Sequence, residues 1–146
     1  MKNQLVTVGW REWLSLPELG LTHIKAKVDT GAKTSCLHAF EVDPYTENGV
    51  EMVRFLMHPV QKNTEIVQEC RTRIIDQRQV SDSGGHQELR YVIETRLDLG
   101  EHAWNIEVTL TNRDTMAFRM LLGRSAMEGR LLVNPQKSFL LGNQPE

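Results

Sequence analysis

Apolar and polar residues alternate with a period of two along most of this chain, and that alternation restricts it to strands. Trp104, Ile106, Val108 and Leu110 are separated by Asn105, Glu107 and Thr109. Tyr91, Ile93, Thr95, Leu97 and Leu99 alternate with Arg90, Glu94, Arg96 and Asp98, and Val92 breaks the pattern. Val53, Phe55 and Met57 alternate with Arg54 and His58. Successive strand side chains point to opposite faces, so each run offers one face to a core and one to water. Turn signals punctuate the runs: Pro17 to Gly20, Asp43-Pro44, Glu47-Asn48-Gly49, His58-Pro59, Ser83-Gly84-Gly85 and Leu99-Gly100-Glu101. Short strands at this spacing predict an all-β fold, a small closed or nearly closed barrel. Helix is expected only from Ser125 to about Glu128, with Ser125 as its cap and Gly129 as its end. Trp10 to Leu16 reads as a strand or extended segment, and Lys137 to Leu141 as an outer or dimer-forming strand.

Nothing along the 146 residues invites division. There is no internal repeat, low-complexity tract or Pro/Ser-rich linker, so a single domain over 1–146 is expected, its core running from about 5 to 141. The net charge of −2, from 17 basic and 19 acidic residues well mixed, gives no electrostatic case for nucleic acid or an anionic membrane. No apolar run approaches the ~20 residues that span a bilayer. The N-terminal residues lack the apolar core and cleavage site of a signal peptide, so a cytoplasmic location is expected. In a reducing compartment Cys36 and Cys70 stay thiols, read as small half-buried hydrophobes.

Chemistry concentrates at Asp29. The apolar residues Ile24, Ala26 and Val28 run into this carboxylate, and Thr30 and Gly31 follow. A carboxylate at the end of a buried strand is costly unless donors surround it. Thr30 offers a hydroxyl, and Gly31 lets backbone amides come close. This is how an acid that holds or shares a proton would be presented. Met120-Leu-Leu-Gly-Arg124 repeats the plan, with an apolar strand, a glycine and a turn toward helix.

Asp-Thr-Gly-Ala at 29–32 followed by Leu-Leu-Gly-Arg at 121–124 resembles the retropepsin family of aspartic proteases. The resemblance widens to a bacterial retropepsin-like family often labelled "ATP-dependent zinc protease". Its landmarks look like Gly9-Trp-Arg-Glu-Trp13, Ala26 to Ser35 with His38-Ala39, Arg90-Tyr-Val-Ile-Glu-Thr95 and Met120 to Arg124, together spanning nearly the whole chain. It implies a small closed acid-protease barrel with one short helix near the C-terminus. It also implies an aspartic-type peptidase acting on peptide or isopeptide bonds, with Asp29, Thr30 and Gly31 catalytic. Ala32 and Lys33 would bind substrate, as would a glycine-rich flap whose tip falls at Ser81 to His86, with Ser81, Asp82, Ser83, Gly84 and Gly85 on it. Gly123 and Arg124 would support the site and the dimer. Members are found beside ATP-grasp ligases that attach glutamate, which implies such a ligase as a partner and a Glu-rich peptide or protein as substrate.

Aspartic proteolysis needs two carboxylates sharing one proton. Asp82-Ser83-Gly84 matches a second motif by letters, but polar residues surround it and a hairpin tip is the better reading. Asp114-Thr115 is followed by Met116 and drops out. One catalytic Asp per chain therefore implies a homodimer. The residues support neither half of the family's label. There is no GxxxxGK[ST] loop for ATP and no His-Glu-x-x-His, the five histidines are scattered, and Cys36-x-His38 with Cys70 is not a closed-site zinc pattern. No cofactor and no metal are expected. Lys33 stands where viral enzymes typically carry an acid that pairs with the later arginine, leaving Arg124 to Glu128 or to a carboxylate of a second subunit. Lys27 and Lys33 would favour ionised Asp29, and they suit an acidic substrate. Trp10-Arg11-Glu12-Trp13 either covers one end of the barrel or forms a surface for substrate or partner. Arg78 and Arg90, flanking the flap, are either solvated or carboxylate-binding. A non-catalytic module of the same fold, recognising an acidic peptide or a ligase, is the alternative.

Overall fold

The alternating runs form strands in the order β1 (Val6–Val8), β2 (Arg11–Leu16), β3 (Leu21–Val28), β4 (Ser35–His38), β5 (Glu41–Glu47), β6 (Val50–Met57), β7 (Gln68–Arg73), β8 (Asp76–Ser81), β9 (Gln87–Leu99), β10 (His102–Thr111), β11 (Met120–Leu122) and β12 (Leu131–Val133). One helical turn, α1 (Arg124–Met127), lies between the last two. The structure, a computed structural model, describes residues 5–60, 65–81, 84–112 and 118–141.

Six strands close into a barrel in the order β10, β4, β11, β3, β2 and β9, with β9 returning to β10. The β9–β10 hairpin is long, running from Leu99 opposite His102 to Val92 opposite Thr109. The seam between β2 and β9 is narrow and centres on Ser15 opposite Asp98. β8 extends the sheet beyond the barrel along the first half of β9. Strands β5, β6 and β7 form a separate antiparallel sheet, and β1 pairs with β12 in parallel. The inward residues of both larger sheets share one core: Leu14, Leu16, Ile24, Ala26, Leu37, Leu97 and Met120 from the barrel, Phe55 and Met57 from β6. Phe55 is fully buried, which is worth about 2–3 kcal/mol relative to exposure.

Turn chemistry holds where backbone geometry demanded it. Asn48 and Gly49 take positive φ of 52° and 79° between the paired ends of β5 and β6, the two-residue hairpin that favours Asn-Gly. Four readings are corrected. Asp43 and Pro44 lie inside β5, where an edge strand tolerates a residue without an N–H. α1 starts one residue early behind Gly123, with no side-chain cap, and the Ser125 N–H goes to the Lys33 carbonyl instead. The segment 137–141 is not a strand. It is a strap lying against β2, and Phe139 in it takes φ 56°. Cys36 and Cys70 are fully rather than half buried, and neither is in a disulfide.

The strap is held by Glu12. The alternation of β2 places this carboxylate on the same inward face as Leu14 and Leu16, and it is fully buried. It accepts N–H groups from Gly9 at 2.8 Å, Leu140 at 2.7 Å and Leu141 at 3.0 Å. Outside, Phe139 stacks on Trp13, and Arg11 donates to the Ser138 hydroxyl.

Burial pushes the Cys70 thiol from its ordinary 9.0 up to about 12, with Glu69 adding to the effect. A folded pKa above the unfolded one stabilises the fold at and below the unfolded value, and that contribution is lost as pH climbs toward the folded one. Urea midpoints should therefore fall between pH 9 and about 12. Cys70→Val, which removes the titration, should fall less steeply, and equal slopes would show that Cys70 is not the cause.

Candidate active site

Asp29 sits where two strand ends cross. β3 and β11 run in parallel, with Leu122 beside Val28, and the Asp29 N–H donates to the Leu122 carbonyl at 2.9 Å. Beyond that bond the two chains continue as interlocked loops. Arg124 N–H reaches the Ala32 carbonyl at 2.7 Å, and Ser125 N–H reaches Lys33 at 2.9 Å. Gly123 N–H donates to the buried Ser35 hydroxyl at 2.9 Å. On the other side, Val28 N–H donates to the Trp10 carbonyl at 2.8 Å, so β2 braces the same strand end.

The carboxylate is partly exposed, and Thr30 and Gly31 are exposed beside it. Gly31 N–H donates to Asp29 Oδ1 at 2.9 Å, and Asp29 carbonyl accepts Ala32 N–H at 3.3 Å, closing a tight turn. A side chain at Gly31 would meet Oδ1 at 3.2 Å, so the glycine is what allows the amide to approach. The oriented amide points a donor at one carboxylate oxygen, Oδ1. Thr30 contributes its carbonyl, to which Arg124 Nη1 donates at 2.9 Å. Arg124 also meets Glu128 at 3.8 Å, as expected once Lys33 replaced an acid. That ion pair is exposed and worth about 0.3–0.5 kcal/mol, so the bond to Thr30 is the stronger tie.

Gly123 is required by contact rather than by φ. A Cβ there would lie 2.5 Å from the Thr34 carbonyl carbon and 2.7 Å from the Ser35 nitrogen, both backbone atoms. Gly123→Ala should cost about 2–3 kcal/mol and separate the two loops. A melting temperature within a degree of wild type would show that the crossing has slack.

The structure thus brings together Asp29, Thr30, Gly31, Ala32, Lys33, Gly123 and Arg124. The expected flap is a hairpin on a different element: Ser81 pairs with Gln87, and Gly85 takes φ 81° with open space around it. Gly84 is part of that connection, whereas Asp82 and Ser83 fall outside the described residues, as do Asp114 to Met116. Arg90 is largely buried, whereas the Arg78 side chain is 37% exposed, and both already carry carboxylate partners. Arg78 bonds Asp76 and Glu107, each at 2.8 Å, and Arg90 bonds Glu88 and the Cys36 sulfur, each at 3.4 Å. Lys33 and Lys27 are exposed and make no ion pair among the described residues. Among the described residues no group of three or more His, Cys, Asp or Glu side chains is arranged to hold a metal ion, and no helix is long and apolar enough to cross a membrane. Sequence reasoning gave Ser35 no role, although a small hydroxyl in an otherwise apolar strand was a signal that a backbone group needed it.

Over residues 7–144 the chain matches a family model described as RimB-like, retropepsin-like aspartic endopeptidase RimB. Two curated relatives carry the name "Probable alpha-L-glutamate ligase". The one from Shewanella halifaxensis is 46% identical over 144 residues, and the one from Parasynechococcus marenigrum 49% over 138. The alignments take in 99% and 94% of this chain but 31% and 30% of those proteins, so the chain spans about a third of the length of the curated relatives it matches. The crystal structure of Lpg0085, a protein of unknown function from Legionella pneumophila, superposes with a TM-score of 0.79 over 94% of this chain and 99% of that one. At 24% sequence identity it shares the fold.

Proposed function

The chain belongs to the RimB-like family of retropepsin-like aspartic endopeptidases, and from that premise we propose that it is an aspartic-type peptidase whose catalytic pair is completed by a second copy of itself. The observation that carries this reading is the partly exposed Asp29 carboxylate, oriented by the Gly31 amide at the crossing of two interlocked loops. One such carboxylate cannot perform the reaction. Two within hydrogen-bond reach share a proton and titrate as a unit. The ionised one takes a proton from water as its oxygen attacks the scissile carbonyl, while the protonated one hydrogen-bonds the carbonyl oxygen. Collapse of the tetrahedral intermediate breaks the C–N bond, and the amine leaves with a proton. A twofold axis beside Asp29 supplies the second carboxylate with no further sequence. Thr30 and Gly31 hold each half of the pair, Gly123 and Arg124 brace it, and the hairpin of β8 and β9, with Ser81, Gly84 and Gly85, covers the substrate beside Ala32 and Lys33.

The substrate we infer is acidic. Lys33 and Lys27 flank Asp29 without carboxylate partners among the described residues, and the curated relatives are named as glutamate ligases. A Glu-rich peptide or protein tail meets both facts, with an ATP-grasp glutamate ligase as the partner that produces it. Two buried thiols outside any disulfide suit the reducing cytoplasm.

The test is cleavage of a peptide mixture enriched in Glu, from about pH 4 to 8, read by mass spectrometry alongside sedimentation. Cuts made by a dimer and missing with Asp29→Asn are expected. A second reading, a binding module without turnover, is favoured by the single carboxylate in each chain. Tight capture of an acidic peptide recovered intact by a strictly monomeric protein would select it.

A further inference from the structure

The sheet of β5, β6 and β7 and the hairpin of β8 and β9 leave a cavity between them, and cross-strand pairs wall it. On one side Thr46 of β5 lies directly opposite Glu51 of β6. On the other Gln77 of β8 lies directly opposite Tyr91 of β9. Directly opposed residues put their side chains on the same face of a sheet. Ile74, in the connection between β7 and β8, ties the walls together, since its N–H donates to the Glu51 carbonyl at 3.0 Å. With Pro44 and Tyr45 these residues enclose about 230 Å³. None of them belongs to the loops that carry Asp29.

The alternation of β6 makes Glu51 informative. It falls in register with Val53, Phe55 and Met57, which are all fully buried in the core. Glu51 continues that inward row past the end of the packing, and it is exposed because the cavity begins there. Ile74 and Tyr91 pack against the core from the facing side. The nearby arginines are committed elsewhere: Arg54 to Glu41, Asp43 and Glu69, Arg71 to Glu69, and Arg78 to Asp76 and Glu107. Arg73 lies opposite Met52, on the other face of the sheet.

What lines the cavity is a set of acceptors beside apolar surface. The Glu51 carboxylate, the Gln77 amide oxygen and the Thr46 hydroxyl accept, while Pro44, Ile74 and the Tyr91 ring suit an aliphatic stem. The volume is below that of a drug-sized site and matches a single side chain. An ammonium on an alkyl stem offers a positive charge and three donors.

We propose that this cavity binds an alkylammonium group, with Glu51 as counter-ion, Gln77 and Thr46 as further acceptors, and Tyr91 along the stem. The group is carried by a lysine of a polypeptide or by a free polyamine. Gln77 and Tyr91 belong to the β8–β9 hairpin, so an occupant pins that hairpin against the second sheet. Binding here needs no peptidase activity, and loss of the peptidase reading would leave this site untouched.

The experiment follows the amide resonances of isotope-labelled protein as Nα-acetyl-lysine methylamide is added to about 20 mM. Thr46, Ile74, Gln77 and Tyr91 should shift and saturate. Glu51→Gln should lower affinity at least about tenfold, and Nε-acetylation of the ligand, which removes its charge, should abolish binding. Gln77→Ala, at a second exposed position, should lower affinity about threefold and keeps the test valid should Glu51→Gln misfold. Shifts that never plateau, that lie elsewhere, or that persist unchanged with the acetylated ligand or in folded Glu51→Gln overturn the proposal. Parallel titrations with a lysine-containing pentapeptide and with spermidine identify the source as whichever binds more tightly, and failure of both overturns the site.

Discussion

Asp29→Asn should lower kcat on an acidic peptide by at least about a thousandfold while leaving the melting temperature within a few degrees of wild type. The amide keeps Oδ1 as acceptor for the Gly31 N–H, and the loop bonds from Leu122, Arg124 and Ser125 involve only backbone atoms, so the fold has no reason to change. What the amide cannot do is share a proton with a second carboxylate or accept one from water. The proposed dimer makes a further demand. Unfolding and refolding equal amounts of wild type and Asp29→Asn together should leave about a quarter of the activity of wild type at the same total concentration, since only wild-type pairs have both carboxylates. Half the activity would mean that each chain works alone. A variant within tenfold of wild type would remove Asp29 from the chemistry.

Glu12→Ala should cost about 4 kcal/mol and lower the melting temperature by roughly 10 °C. The buried carboxylate accepts three backbone N–H groups, and its loss leaves those of Gly9, Leu140 and Leu141 without the acceptor they face. Hydrogen bonds to a charged acceptor are about twice as strong as neutral ones, and orphaned buried donors cost about 1–3 kcal/mol each. The strap would detach, so protease sensitivity at 137–141 should rise with the loss of stability. Glu12→Gln, which keeps one acceptor oxygen but turns an NH₂ toward a donor, should fall between the two. A Glu12→Ala melt within two or three degrees of wild type would mean that the strap finds other acceptors.

The barrel strands were legible because each has one face in a shared core, which writes the period of two into Leu97, Leu99, Ile106 and Val108. β7 and β8 were not. Gln-Glu-Cys-Arg-Thr-Arg and Asp-Gln-Arg-Gln-Val-Ser are largely polar on both faces, and charge contacts such as Glu69 with Arg54 and Arg71 dress their exposed sides. The parallel pairing of Val6–Val8 with Leu131–Val133 joins opposite ends of the chain and leaves no local trace. At the site, the carboxylate and its glycine were readable because their spacing is set within three residues. Arg124 was readable as a residue but its main acceptor was not, since that acceptor is a backbone carbonyl and backbone carbonyls have no letter. Glu12 was grouped with its aromatic neighbours as part of a barrel end or a partner surface, and its own role was not legible because the groups it binds, the amides of Gly9, Leu140 and Leu141, have no letter.

The floor of the site is tied by bonds of very long span, 88 residues from Gly123 to Ser35 and 94 from Arg124 to Thr30. Synthesis runs from the N-terminus, so Asp29 emerges long before the segment that fixes its loop. Contacts of such separation also close late in folding, because the loop-closure entropy must be overcome first. A site built this way has a birth order: its carboxylate is made well before the segment that gives it direction.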